Sequence, residues 1–215
     1  MQAIVIGATG LVGASLVSEL SRDSRFSKVK LFARRPVSEI HPKCEVHVIN
    51  FNEPHEWQHE VKGDVLFSCL GTTLKNAGGK EAQYKVDFTY QYNFALSAFH
   101  NEVPAFVLIS SAGASTTSPV FYSKMKGELE AEILKLSFKK IRILRPGILA
   151  GNRKEKRPAE KIAIQIMKFI SRLPGLNSYK PIDSTIVAKA MINSLFIEQT
   201  GVLILSPAKL FELGI

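Results

Sequence analysis

QAIVIGATGLVG, residues 2–13, decides the fold. Its first five residues are mostly apolar and include two Ile and a Val, so 2–6 reads as a buried strand that stops at Gly7. Gly7, Gly10 and Gly13 follow at the spacing of a dinucleotide loop, and a helical pattern opens at Leu11. The chemistry requires that order. Gly7 permits the tight turn, Gly10 lets backbone approach a pyrophosphate, and Gly13 lets helix and strand pack closely. Amides at the helix N-terminus then face the phosphates, with Thr9, Leu11 and Val12 in the same loop.

Moving outward, further short apolar runs lie at 29–33, 44–49, 65–68, 105–110, 141–144 and 202–205. Between and beyond them, 11–22, 57–61, 84–101, 121–136, 159–172 and 184–197 carry helical patterns. Regular β–α alternation predicts an α/β fold: a Rossmann doubly wound parallel sheet with both faces covered. Residues 1–215 are expected to form a single NAD(P)-binding domain. Within it, 152–200 contributes a small substrate-side lobe, marked by the charged stretch 152–161 and the Pro-, Gly- and Asn-rich stretch 173–183.

Composition narrows the function. The 215 residues hold 28 Lys+Arg against 19 Asp+Glu, a net charge of +9. The basic residues are dispersed and no aromatic-interleaved basic stripe runs along the chain, so nucleic acid is not the expected partner. Two cysteines, Cys44 and Cys69, exclude a disulfide scaffold, and the five histidines lack metal-ligand spacing. No run reaches the roughly 18–20 apolar residues of a membrane span. MQAIVIGATG has no basic segment before its apolar run, so it reads as a strand rather than a signal peptide. These features place the chain in the cytoplasm.

The second strand ends in Arg34 and Arg35 rather than in an acidic residue. A carboxylate there would accept from the adenosine 2′-hydroxyl of NAD. Guanidinium groups pair instead with a 2′-phosphate, so NADP(H) is preferred over NAD(H). Asn50, ending the third strand, sits where an adenine contact is made.

A second constellation carries reaction chemistry. Ser111 ends the fifth strand, Tyr122 comes eleven positions later, and Lys126 follows on the same helix face. A free phenol titrates near about pH 10 and is a poor proton donor–acceptor at neutrality; a lysine cation beside it favours the phenolate. Ser111 can hydrogen-bond a substrate carbonyl oxygen, and Tyr122 can donate the proton while a nicotinamide gives hydride. Lys126 can also hold the nicotinamide ribose. The stretch 146–149, with Pro146, Gly147 and Leu149, would pass beside the nicotinamide.

Together these residues resemble the short-chain dehydrogenase/reductase superfamily in its extended or atypical branch. Within it, the chain is most similar to the HIV-Tat-interacting-protein oxidoreductase family. The segments that carry the likeness are FSCLGTT (67–73), SSAGA (110–114), YSKMKGELE (122–130), LRPGILAGNRKEKRP (144–158) and the final LFELG. The resemblance implies Tyr122 and Lys126 in the active site. It implies nucleotide contacts at Thr9, Gly10, Leu11, Val12, Arg34, Arg35, Leu70, Gly71, Leu149 and Arg157, and Thr72 falls in the same segment as Leu70 and Gly71. Extended members carry Asn where this chain has Asp87 in Val86-Asp87, and a carboxylate cannot donate as an amide does.

Three functions fit these residues. The first is an NADPH-dependent reductase of a small carbonyl substrate. The second is an NADP(H)-binding regulatory or partner-docking protein with little turnover. The third is a nucleotide-sugar epimerase or dehydratase, against which the small C-terminal lobe counts. The chain is expected as a monomer or a homodimer.

Overall fold

A computed structural model describes residues 1–38, 41–150 and 181–215. The expected helix at 159–172, the basic residues 153–157 and most of the expected lobe lie outside them.

Seven strands form the main sheet: β1 Gln2–Ile6, β2 Lys28–Ala33, β3 Cys44–Val48, β4 Val65–Ser68, β5 Ala105–Ile109, β6 Lys140–Leu144 and, last in the chain, β9 Gly201–Leu205. Their order is β3-β2-β1-β4-β5-β6-β9, and every neighbouring pair is parallel. This is the Rossmann arrangement expected from the sequence. Two short strands, β7 Leu149–Ala150 and β8 Ile182–Asp183, pair in parallel beside it.

The strand residues explain why both faces are covered. In β1, Ala3 and Val5 belong to one core while Ile4 and Ile6 belong to the other, and all four are fully buried. The first core packs the sheet against α1 Leu11–Arg22 and a late helix, Ser184–Leu195, through Leu16, Leu20, Val187 and Met191. The second packs it against α5 Tyr90–His100 and α6 Phe121–Leu134 through Phe94, Leu129 and Ile133. Successive strand side chains point to opposite faces, so continuous apolar runs are what a doubly covered sheet needs.

Helix boundaries differ from expectation by two residues at the ends of Phe121–Leu134 and Ser184–Leu195, and by more at two other places. The stretch expected as a helix over 57–61 is Pro54–Trp57 followed by one 3-10 turn, Gln58–Glu60. Pro54 starts it early because its fixed φ suits a first helical turn. The stretch expected over 84–101 starts earlier, as Lys80–Tyr84, widens into a π segment at Lys85–Thr89, and continues as α5. Such a π segment inserts one residue into the helical ladder and turns the following side chains. Two short helices were not expected at all: Leu74–Ala77, capped by the Thr73 hydroxyl, and Pro207–Leu213, capped by Ser206.

Buried polar chemistry closes the far end of the sheet. Arg142 in β6 is fully buried. Its guanidinium donates to the carbonyls of Ser194 at 2.8 Å and Gly201 at 2.9 Å, and also to Gln199. It fastens the C-terminal end of helix Ser184–Leu195 and the turn into β9 to the sheet. Burial holds its pKa below the ordinary guanidinium value.

Candidate functional site

In a parallel sheet all strands end on one edge, and the crevice opens where the order reverses. Here β1 is followed in the sheet by β2 on one side and β4 on the other, so the reversal lies between the ends of β1 and β4. The glycine loop follows β1, and Leu70, Gly71 and Thr72 follow β4. Arg34 and Arg35 lie just past β2, Asn50 past β3, Ser111 past β5, and Pro146 and Gly147 past β6. Leu149 is in β7. The topology therefore brings these sequence-selected positions to one edge. Arg157 lies outside the described residues.

The glycine loop packs its own backbone closely against its neighbours. Gly7 has φ +81°, a left-handed value that side chains rarely adopt. A Cβ there would also stand 2.5 Å from the Cys69 carbonyl carbon, and one on Gly13 would overlap the Gly7 carbonyl. The loop is thus pressed between the end of β4 and the start of α1. Gly10 caps α1 without a side chain, and no acidic residue occupies its first turn. The helix N-terminus presents its amides and positive dipole end to the crevice, which suits an anionic pyrophosphate. These features fit a dinucleotide.

Arg34 and Arg35 are exposed and form no ion pair with the other described residues. Asn50 is exposed as well; its side chain accepts from the Asn52 amide at 3.1 Å, and its carbonyl accepts from the Trp57 indole at 2.9 Å. Trp57 itself is core, stacked on Phe94 with ring centroids 4.1 Å apart.

On α6, Tyr122 is exposed and Lys126 is buried. The Lys126 ammonium lies 6.0 Å from the centroid of the Tyr122 ring. It also lies 3.4 Å from the Asp87 carboxylate, with the two side chains only 3% and 1% accessible. Asp87 sits inside the π segment. Its Oδ2 accepts from the Thr72 amide at 2.9 Å. Its Oδ1 is buried without an aligned hydrogen-bond donor, so the approach of Lys126 is electrostatic in character. Burial raises the Asp87 pKa above the ordinary carboxylate value, while Lys126 and the Thr72 amide act in the opposite direction.

A second polar network distinguishes the two serines after β5. Ser110 is buried and donates to Glu130 of α6, which also receives Arg145 from the end of β6. Ser110 is thereby committed to joining β5, α6 and β6. Ser111 stands one residue further out, partly exposed. The Ala112 amide donates to the Pro146 carbonyl at 3.0 Å, which ties the loop bearing Ser111 to the one bearing Gly147. The sequence reading did not find Glu130, Gln91 or the Asp87–Lys126 contact. A Glu at a position of α6 that faces the core was the signal available for Glu130.

Gln91 supports the π segment from below. Its amide donates to the Asp87 carbonyl at 2.6 Å and its Oε1 accepts from Ser68 at 2.6 Å, all within the core. Cys69 is desolvated, and its thiol is pushed up to about 12. It donates weakly to the Met191 sulfur at 3.9 Å. This protonated thiol is not a nucleophile at neutral pH.

Comparison with known proteins agrees with the fold. The family model for NAD(P)H-binding proteins matches residues 7–168. The chain is 33% identical to the mitochondrial protein FMP52 of Eremothecium gossypii over 219 residues, covering 99% of this chain and 97% of that one. It is also 33% identical to the mitochondrial protein fmp52 of Aspergillus clavatus, covering 88% and 85%. Among solved structures, a UDP-galactose 4-epimerase superposes with a TM-score of 0.70 at 17% identity, covering 96% of this chain and 77% of that one. A UDP-glucose 4-epimerase from Thermotoga maritima gives 0.69 at 15% identity, covering 100% and 81%. These similarities to solved structures are of fold.

Two expectations change. The relatives carry the name FMP52 rather than that of HIV-Tat-interacting-protein oxidoreductases, so the shown family is the broader NAD(P)H-binding one. The cytoplasmic placement is overturned, because these relatives are named mitochondrial. Two unpaired thiols indicate a reducing compartment and do not distinguish the cytosol from a mitochondrial interior. No described helix is long and apolar enough to cross a membrane.

Proposed function

Because this chain belongs to the NAD(P)H-binding family, we propose that it is an NADPH-dependent oxidoreductase that reduces a small carbonyl compound at Ser111, Tyr122 and Lys126. The observation that carries this reading is the placement of a buried lysine cation 6.0 Å from the ring of an exposed tyrosine on the same helix. When bound, the nicotinamide supplies hydride to the carbonyl carbon. Tyr122 donates its phenolic proton to the carbonyl oxygen, and Ser111 Oγ–H hydrogen-bonds that oxygen as negative charge develops. The Lys126 cation would offset the negative charge left on the Tyr122 oxygen and would hold the nicotinamide ribose. Gly7, Thr9, Gly10, Leu11, Val12 and Gly13 hold the pyrophosphate. Leu70, Gly71, Thr72, Pro146, Gly147 and Leu149 would hold the nicotinamide half, and Asn50 would contact the adenine.

The guanidinium groups of Arg34 and Arg35, which pair with no acid among the described residues, support NADPH over NADH, since a 2′-phosphate would give them an anion. The lobe assigned to 152–200, with Arg157, belongs to the same proposal as the substrate side of one domain. The mitochondrial names of the relatives support a mitochondrial setting for this chemistry.

The test is direct titration of cofactor-stripped protein with NADPH and NADH at fixed salt, followed by a carbonyl panel. Micromolar NADPH binding, much weaker NADH binding and turnover of a carbonyl are expected. Binding of neither nucleotide would overturn the reading. Tight binding of a nucleotide sugar without reduction of any carbonyl would replace it with an epimerase-type reaction.

A further inference from the structure

The Asp87 carboxylate is buried, and among the described residues Lys126 is the cation paired with it. One oxygen receives the Thr72 amide from the loop after β4, and the other faces Lys126 from α6. A Cβ on Gly71 would lie 3.4 Å from that second oxygen, so the loop passes close over it. The residue is carried by a π segment, whose carbonyl at Asp87 is held by buried Gln91. Gln83, also buried, donates to the Thr72 carbonyl at 3.2 Å. The amide and the carbonyl of Thr72 are thus held by the π segment and by the helix Lys80–Tyr84 that runs into it.

We propose that Asp87 is a positioning residue: its carboxylate joins the lysine beside Tyr122 to the cofactor-side loop at Thr72, so that the two halves of the site are presented as one unit. This rests on the role given above to Lys126. Two physical arguments support it. A buried ammonium without a counter-charge loses its hydration uncompensated, and the Asp87 carboxylate, 3.4 Å away, is the counter-charge beside Lys126. A backbone amide held by a carboxylate makes a charge-assisted bond, which fixes the loop more firmly than a neutral acceptor does. The Asn expected at this position in extended short-chain enzymes can hold the amide but cannot neutralise the lysine. Asp87 adds charge to a shared shape.

Two substitutions separate the two roles. Asp87→Asn keeps an acceptor for the Thr72 amide and removes the charge; Asp87→Ala removes both. Hydrogen exchange at the Thr72 amide is expected to stay within twofold of wild type in D87N and to quicken at least tenfold in D87A. NADPH affinity, read by cofactor fluorescence, is expected to fall at least threefold in D87N. The same change made in the K126M background should alter affinity by less than twofold, because Asp87 then has no cation to present.

Equal losses in both backgrounds would overturn the inference, since Asp87 would then act independently of Lys126. Tighter NADPH binding in D87N would also overturn it, because the carboxylate would be competing with the cofactor for Lys126. Unchanged Thr72 exchange in D87A would remove the loop half of the proposal. If K126M alone leaves NADPH affinity unchanged, what fails is the role of Lys126 in the proposed function, and Asp87 falls with it.

Discussion

Gly127 of α6 and Ser115 of the loop after β5 touch backbone to backbone. A Cβ on Gly127 would overlap the Ser115 carbonyl carbon and stand 2.5 Å from the Thr116 nitrogen. The Ser115 amide donates to the Ser123 carbonyl at 3.1 Å across the same contact. A glycine inside a helix costs about 0.5–1 kcal/mol relative to alanine, so this one is retained for closeness. It seats the loop that bears Ser111 against the helix that bears Tyr122 and Lys126.

Gly127→Ala should therefore lose stability in spite of its better helix propensity. Forcing a methyl into a filled contact costs about 1–3 kcal/mol, which exceeds the propensity gain. Thermal unfolding should show a lower Tm. Turnover should fall more than NADPH affinity does, because the displaced loop carries Ser111 and not the glycine loop. An unchanged Tm would show that the loop moves aside freely.

Tyr122→Phe removes one oxygen from an exposed ring. Folding and NADPH affinity should stay within about threefold of wild type, while kcat falls by about 10²–10⁴, the usual contribution of a positioned proton donor. Steady-state kinetics with the carbonyl found in the panel measures it. Full turnover in Y122F would remove Tyr122 from the mechanism.

Arg34 and Arg35 have no ion pair with the described residues to lose, so their removal should leave stability unchanged. The double variant R34A/R35A should weaken NADPH by at least about tenfold, since charge-assisted bonds to the phosphate contribute about 1.5–3 kcal/mol. NADH should be unaffected. Parallel titrations of the two nucleotides distinguish this from general loss of the site, which would weaken both.

Arg142 holds carbonyls rather than a carboxylate, so its substitution leaves acceptors unpaired in the core. Arg142→Met should cost about 2–4 kcal/mol, from several buried carbonyls losing their donor. The loss should be seen in urea unfolding as a lower midpoint with an unchanged slope. Hydrogen exchange should quicken at the end of helix Ser184–Leu195 before it does elsewhere.

The Cys69 thiol gives a pH dependence with a definite sign. Its folded pKa, about 12, lies above its ordinary value of 9.0. The native state therefore holds a proton that the unfolded state releases between those values. Stability from this group is fully present below pH 9 and declines as pH rises towards 12. Comparing wild type with Cys69→Ala between pH 8 and 10.5 should show a steeper alkaline loss in wild type. Iodoacetamide should label Cys69 slowly in the native protein and rapidly once it unfolds.

Much of the architecture was legible because its signals are local. The run from Gln2 to Gly13 contains strand, turn and helix start within a few residues, and each follows from backbone sterics and burial. Where an extra signal intervened, the reading missed. Pro54 advanced one helix, and nothing in the hydropathy of 80–100 marks the π segment, because a widened turn has the same composition as an ordinary one. The compartment was misread because a count of thiols reports redox state and not address.

The sequence by itself determined the doubly wound sheet, the glycine loop, and the pairing of Tyr122 with Lys126, whose four-residue spacing places them on one helix face. It also distinguished Arg34 and Arg35 by the absence of an acid. Only the tertiary structure decided that Asp87 meets Lys126, 39 positions later in the chain, that Ser110 is spent on Glu130 while Ser111 stays partly exposed, and that Arg142 serves carbonyls. Those outcomes depend on which buried groups come within reach of one another. Desolvation makes each such contact matter, and its partner is fixed by packing between distant segments rather than by spacing along the chain.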